Sequence, residues 1–226
     1  MKGMLSLSGT LVVCLLAAFA GPARAVPIAI QFDFTGSSVS MLGGIVQVPP
    51  DGSINSASGT LIVTGAGLAT PSPGPVLLQS FGLAASVNAV TFGNTITGNP
   101  SITQIGVAGG TLTPSLSQVV FGAPMQIALG GVLNCSGPSC AILSLPAALT
   151  GTQLLNLAAM PIANLAAIGN AAIDATYAIT LNGLTGSLHL VGTEISRVVV
   201  PEPHTAGLLT LGIAALAGWR VARARR

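Results

Sequence analysis

Few side chains between positions 26 and 200 could do chemistry. Those with catalytic or metal-ligating groups are His189, Cys135, Cys140, Asp33, Asp51, Asp174, Glu194 and Arg197. His189 is the one histidine of this segment, so a serine hydrolase would need it as the base. In the hairpin predicted below, Asp174 and Ser187 would share a sheet face with it. No Gly-x-Ser-x-Gly sequence accompanies them, and we expect a solvent-facing histidine on a polar sheet face instead.

The carboxylates offer one further catalytic chemistry. Paired acids hydrolyse glycosidic bonds where folding brings two of them together. Asp51 follows Pro50 and precedes Gly52, which predicts a turn in which Asp51 bonds to its own backbone. The other three acids fit ordinary strand surfaces. A calcium site would need an Asp-rich loop, and a phosphate site would need a Gly-rich loop with a lysine. The sequence of residues 26–200 contains neither. We therefore predict no catalytic residues, no metal and no cofactor.

Charge argues against nucleic acid as a partner. One arginine against four acids gives residues 26–200 a formal charge of 1 − 4 = −3, and no lysine occurs there. The sequence pI of 8.7 therefore comes from basic residues near the two ends of the chain. A body with a single cation cannot neutralise several phosphates, so we predict that it does not bind nucleic acid.

The elements that must position these residues are predicted to be strands. The clearest is a hairpin in which Ile173–Leu181 and Leu184–Gly192 flank a two-residue turn, Asn182-Gly183. This register makes one face apolar and the other mostly polar in both strands. It pairs Leu181 with Leu184, Ile179 with Gly186, Tyr177 with Leu188, Ala175 with Leu190, Thr180 with Thr185, Ala178 with Ser187, and Thr176 with His189. A third strand, Glu194–Val200, is expected to follow.

The rest of the segment predicts an all-β, β-sandwich-like single domain over residues 26–200. Strands are expected at Ile28–Phe34, Gly59–Thr64 and Leu83–Phe92, and a proline-rich loop at Thr70–Pro75. Gln153–Ile168 is ambiguous and should hold at most one short helix, because Pro161 interrupts it. The aromatic side chains are expected in the core: Phe32, Phe34, Phe81, Phe92, Phe121 and Tyr177.

The N-terminus predicts export. Lys2 precedes an apolar stretch from Leu5 to Ala20, and the small residues Ala23 and Ala25 close it. This pattern is typical of a secretory signal peptide over residues 1–25, removed by signal peptidase after Ala25.

Export makes a disulfide the expected state of Cys135 and Cys140. Ser136-Gly137-Pro138-Ser139 between them provides a turn. A metal site is the alternative, but it needs about four ligands, and no histidine lies nearby. A redox role would favour a two-residue spacing.

The C-terminal 26 residues, 201–226, contain three features in a fixed order. Pro201-Glu202-Pro203 comes first, and its prolines keep the triplet extended and exposed. An apolar run from Ala206 to Trp219 follows, just long enough to span a membrane with its flanks. Four arginines end the chain and place the C-terminus in the cytoplasm: Arg220, Arg223, Arg225 and Arg226. Together these features resemble the PEP-CTERM sorting signal of Gram-negative bacteria. An ordinary tail anchor is the alternative.

The resemblance implies processing by an exosortase, an integral-membrane enzyme, and an association with exopolysaccharide. We therefore expect an exported, non-enzymatic protein of the cell surface or extracellular matrix, held temporarily in the inner membrane by its C-terminal helix. Its expected partners are the export machinery, exosortase, and exopolysaccharide or further copies of itself. A lectin-like carbohydrate-binding domain and a secreted hydrolase are the alternatives.

Overall fold

The structure of the body is all-β. The computed structural model describes residues 25–138, 140, 148–157, 159–181 and 183–201. Of these residues 67% lie in strands, so the predicted fold class is confirmed at this level. The predicted C-terminal helix and most of the predicted signal peptide lie outside the described residues.

In the described residues, the fold has fifteen strands and one short 3-10 turn, Leu42–Gly44. The strands are β1 (Val26–Asp33), β2 (Ser38–Met41), β3 (Val46–Val48), β4 (Gly52–Gly65), β5 (Gly74–Thr91), β6 (Asn94–Gly98), β7 (Ser101–Gln104), β8 (Ala108–Leu112), β9 (Gln118–Phe121), β10 (Met125–Gly130), β11 (Leu133–Ser136), β12 (Gly151–Leu155), β13 (Ala159–Ala163), β14 (Ala172–Leu181) and β15 (Leu184–Val199).

The strands form one continuous antiparallel sheet that closes on itself. Hydrogen bonds lead in order through β5, β4, β1, β15, β14, β13, β9 and β8, and β8 then pairs with the first part of β5. The later part of β5 instead pairs with β7 and β6, and from these the sheet continues to β10, β12 and β11. On the other side of the ring, β2 pairs with β15, and β3 pairs with β2. β4, β5 and β15 are the longest strands, and β5 and β15 connect the ring to these extensions.

The core follows the alternation of the strands. In β1 and just beyond it, Ile28, Ile30, Phe32 and Phe34 are buried, as predicted. The Phe34 ring lies across two glycines of the neighbouring strands, and a Cβ would meet that ring at 2.8 Å on Gly59 and at 2.4 Å on Gly192. Any other residue at either position would force the Phe34 ring or the strand to shift, because only the bare backbone of glycine leaves room for the ring where it lies.

The predicted hairpin is confirmed residue by residue. β14 and β15 pair Leu181 with Leu184, Tyr177 with Leu188 and Thr176 with His189, and the pairs between them are in register. Tyr177 lies on the buried face, and its hydroxyl donates a hydrogen bond to the Ala159 carbonyl at 2.9 Å. Burial raises the pKa of Tyr177 to about 12.

The strand predicted at Glu194–Val200 is present as far as Val199, but it is part of β15 and not a third strand. Glu194 to Val199 continue β15 without a turn, and the strand changes its neighbour from β14 to β1 at Thr193. Gly192, where the second strand of the hairpin was predicted to end, accommodates the Phe34 ring within β15. The register with β1 shifts between Gln31 and Phe32, which leaves Ile195 as a bulge.

The ambiguous segment Gln153–Ile168 contributes strands. Gly151–Leu155 and Ala159–Ala163 form β12 and β13. Leu155, Leu157, Met160 and Ile162 are all buried, so packing overrides the helix propensity of Leu and Ala. Pro161 is tolerated because its nitrogen faces the β14 side, where pairing begins only at Ile162; the Ile162 amide points the other way, to the Ser117 carbonyl at 2.8 Å.

Candidate functional site

Of the three residues considered for a serine hydrolase, His189 and Asp174 contact each other, but not with the geometry of a catalytic triad. His189 Nε2 lies 2.8 Å from Asp174 Oδ1, and both side chains are exposed. In a catalytic triad the acid binds Nδ1 and leaves Nε2 for the nucleophile. Here Asp174 holds Nε2, while Ser187 lines a shallow surface depression with Ser40 and Thr185. The expected solvent-facing histidine on a polar face describes this site.

Asp33 and Asp51 each bond to a residue nearby in the chain. Asp33 accepts bonds from the amide and hydroxyl of Thr35, and Asp51 accepts one from the Gln47 amide at 3.0 Å. The predicted turn at Pro50-Asp51-Gly52 is present, but the Asp51 side chain bonds to the backbone of Gln47, four residues earlier, and not to its own. Across the residues described, no group of three or more His, Cys, Asp or Glu side chains could hold a metal ion.

Glu194 was expected on a strand surface, and this prediction was wrong. It forms an ion pair with Arg197, and both side chains are fully buried. Arg197 Nε and Nη2 donate to the two carboxylate oxygens at 2.8 and 2.6 Å. The bulge at Ile195 is the cause, because the extra residue turns positions 194 and 197 to the same face of β15.

The buried pair joins three segments of the chain. Arg197 Nη1 donates to the carbonyls of Leu68, in the loop after β4, and Leu165, in the loop after β13. The Ala171 amide donates to Glu194 Oε2 at 3.1 Å. Burial acts to raise the pKa of Glu194, but hydrogen bonds from Arg197, Gly169 and Ala171 outweigh it and hold the pKa below its usual value. The only sign of this buried pair in the sequence is that the single arginine of residues 26–200 comes three residues after a glutamate.

The two ends of the body lie side by side. β1 and β15 are antiparallel with Ile28 opposite Val199, and the Val200 amide donates to the Pro27 carbonyl at 2.9 Å. Ala25 and Pro201, the first and last described residues, are both exposed. We call this end, residues 25–27 and 199–201, the proximal pole. The predicted cleavage site after Ala25 and the start of the predicted sorting motif therefore lie at the same end of the body.

The predicted disulfide is present. Cys135 and Cys140 are joined with an S–S distance of 2.01 Å and a Cα–Cα distance of 5.7 Å. Its loop packs against the turn between β5 and β6, since a Cβ on Gly137 would lie 2.4 Å from Asn94 Oδ1. Asn94 in turn donates side-chain hydrogen bonds to the carbonyls of Thr91 and Phe92.

The core assignment was right for Phe32, Phe34, Phe81 and Phe121, but wrong for Phe92, which is 81% exposed. Phe92 and Gly93 form the two-residue turn between β5 and β6, with φ angles of +47° and +73°. Turns of this kind favour asparagine or glycine at the first position. A side chain such as phenylalanine in this region costs on the order of 1 kcal/mol. Val90, just before it, is 74% exposed.

Two other bulky residues, Leu42 and Leu116, have similar positive φ angles, but both pack against the core. Phe92 has no such compensation.

We call residues 90–93 the distal tip, because they lie at the far end of β5 from the proximal pole. Leu77 of β5 is level with Ile62 and Ala29 at the proximal side, and the strand from there to Thr91 is about 45 Å long.

No protein-family model, curated protein or solved structure matches this chain. Within the described ranges, the structure has no helix of the length and hydropathy needed to cross a membrane.

Proposed function

We propose that the chain is an exported, non-enzymatic protein of the cell surface or extracellular matrix, whose residues 201–226 are a PEP-CTERM sorting signal processed by an exosortase. Residues 1–25 are the signal peptide of this proposal and residues 26–200 its exported domain. The observation that carries the proposal is the proximal pole, where Ala25 and Pro201 leave the body together. Two membrane-directed segments at one pole allow the folded body to stand on the membrane while either end is processed.

The exposure of Pro201 supports the same proposal. Val200 makes the last backbone bond of the body, to Pro27, and no strand pairing continues beyond it in the described residues. A membrane protease needs an extended peptide, and prolines at two of the three positions of the triplet favour one. The triplet would therefore be offered to the enzyme just outside the fold.

We further propose that the folded body is sandwich-like where its sheet doubles over. Val39 and Met41 of β2 face Leu83 of β5 and Ile102 of β7 across an apolar cavity of about 20 Å³. These strands are not hydrogen-bonded neighbours, so two layers of the sheet meet here. A cavity of this size leaves no space for a ligand between them.

A lectin-like carbohydrate-binding domain is the second candidate, and it is compatible with the first. The exposed Phe92 favours it, because an aromatic ring held at the surface offers an apolar face to a sugar. A secreted hydrolase has less support, since the Asp174–His189 pair occupies the nitrogen that would face the nucleophile.

Mass spectrometry of the mature C-terminus, on protein from envelope and medium fractions of the native host, tests the proposal. A chain that ends between Pro201 and His204 is expected, with or without added mass. Replacing Pro201, Glu202 and Pro203 by alanine should leave the tail intact, while the neighbouring His204→Ala serves as the control and should be processed. An intact tail through Arg226 in the wild-type membrane fraction would leave a plain tail anchor and contradict the proposal.

A further inference from the structure

We infer that the distal tip and the sheet face beside it bind a neutral polysaccharide chain, with Phe92 as the ring on which a sugar stacks. This inference rests on the proposed function, because it requires that the body reach the outside of the cell. It names the partner that the exported body meets there.

The first argument is that Phe92 is exposed at a cost. Its backbone conformation suits asparagine or glycine, and its side chain gains no contact with the core in return. The turn is also held firmly, by the side-chain bonds of Asn94 and by the disulfide loop packed behind it. An aromatic ring on a rigid support loses little entropy when a ligand covers it.

The second argument is the chemistry of the adjoining sheet face. β5, β6 and β11 lie side by side here, and their register sets two rows of exposed or half-exposed side chains across the three strands. One row is Asn88, Thr97 and Asn134, and the other is Val90, Thr95 and Ser136. The amides and hydroxyls of these rows can both donate and accept hydrogen bonds. Sugar hydroxyl groups need partners of this kind.

The third argument is charge. Arg197 is the only lysine or arginine between residues 26 and 200, and it is buried in its ion pair with Glu194. The described surface therefore presents carboxylates, one of them paired with His189, and no lysine or arginine, which disfavours an anionic polymer or an anionic lipid. A neutral polysaccharide incurs no such repulsion.

The position of the distal tip favours a polysaccharide partner over the cell's own membrane. The distal tip lies about 45 Å along β5 from the pole at which the membrane-directed ends emerge. A hydrophobic side chain that inserts into the host membrane would be expected at the proximal pole instead. A ring at the far end is placed to meet the extracellular matrix.

Affinity electrophoresis of the mature protein tests the inference, with gels containing β-glucan, mannan or galactan as neutral probes and alginate as the anionic one. Retardation is expected in at least one neutral gel and not in alginate. Phe92→Asn should weaken that retardation about tenfold or more, which corresponds to the loss of one well-stacked ring. Its melting temperature should be no lower than that of the wild type, because asparagine suits the turn. Asn88→Ala with Asn134→Ala should weaken retardation severalfold.

Leu154→Asn is the matched control, since Leu154 is 70% exposed but lies on β12. It should leave retardation unchanged. Absence of retardation in every neutral gel, equal retardation of Phe92→Asn and wild type, or a Phe92 effect seen only on dimerisation or on binding to phosphatidylcholine vesicles would each overturn the inference. The C-terminal mass of the same preparation tests the sorting proposal separately. A processed chain without glycan retardation defeats only the inference, and an intact tail with retardation defeats only the sorting signal.

Discussion

The proximal pole and the distal tip lie toward opposite ends of β5, and they differ in which side chains they bury and which they expose. Near the proximal pole a glutamate and an arginine are fully buried, and hydrogen bonds satisfy both. At the distal tip a phenylalanine and a valine are exposed, and the phenylalanine sits in a conformation that disfavours it. The difference indicates that the first region holds the fold together and that the second is available for a partner.

Breaking the buried pair should have the largest effect. Arg197→Met leaves the Glu194 carboxylate buried without its partner, which should lower the free energy of unfolding by about 3–5 kcal/mol. The control is the double variant with Glu194→Met, which removes both charges and should recover most of that loss. Urea denaturation measures both. A cost below about 1 kcal/mol for Arg197→Met would show that the pair does not anchor this pole.

Acid should act on the same pair. The pKa of Glu194 is lower in the folded protein than in the unfolded chain, so its contribution to stability is complete above the usual glutamate range. It is lost as the pH falls through the lowered pKa. Urea denaturation from neutral to acidic pH should therefore give a steeper loss of stability for the wild type than for the double methionine variant. Equal slopes would contradict this prediction.

Gly192→Ala should be destabilising by about 3 kcal/mol, because its Cβ would lie 2.4 Å from the Phe34 ring in the core beside the buried pair. Gly109→Ala is the matched control in another strand, β8, since nothing lies within 4 Å of the added carbon. Thermal denaturation of the two variants side by side gives the comparison. Similar melting temperatures would mean that the Phe34 ring can move aside.

Replacing both cysteines by serine should cost about 2 kcal/mol in the chain-entropy description of so short a loop. The loss should be local to the distal side. Hydrogen exchange should become faster for the amides of β6 and β11, while β1 and the end of β15 keep their protection. Uniform loss of protection would show that the two regions are not energetically separate.

Phe92→Asn should have the smallest effect on stability and the opposite sign. Relief of the positive φ angle should raise the free energy of unfolding by up to about 1 kcal/mol. Leu116→Asn relieves a similar angle but gives up contact with the core, so it should not stabilise the protein. A loss of stability in Phe92→Asn would show that the ring contributes to the fold.

Sequence reasoning succeeded where the determining interactions are local. The β14–β15 register depends on the alternation of side chains and on a two-residue turn, and the disulfide depends on two cysteines separated by a turn. The burial of Arg197 depends instead on Leu68 and Leu165, which are 129 and 32 residues away in sequence, and on a bulge without a clear sequence signal. Phe92 was misplaced because hydrophobicity predicts burial, whereas the β5–β6 turn determines its exposure.

The course of β15 has a mechanical consequence. This single strand begins at the hairpin turn with β14 and ends at the proximal pole, where Pro201 emerges. A polymer pulling on the distal side of a molecule tethered through its C-terminus would load β15 along its length. Its bonds to β14 and β1 lie across that direction, so they must fail together rather than one after another. The Arg197 guanidinium, held by two loops, lies on this line of tension and would resist the withdrawal of the last strand.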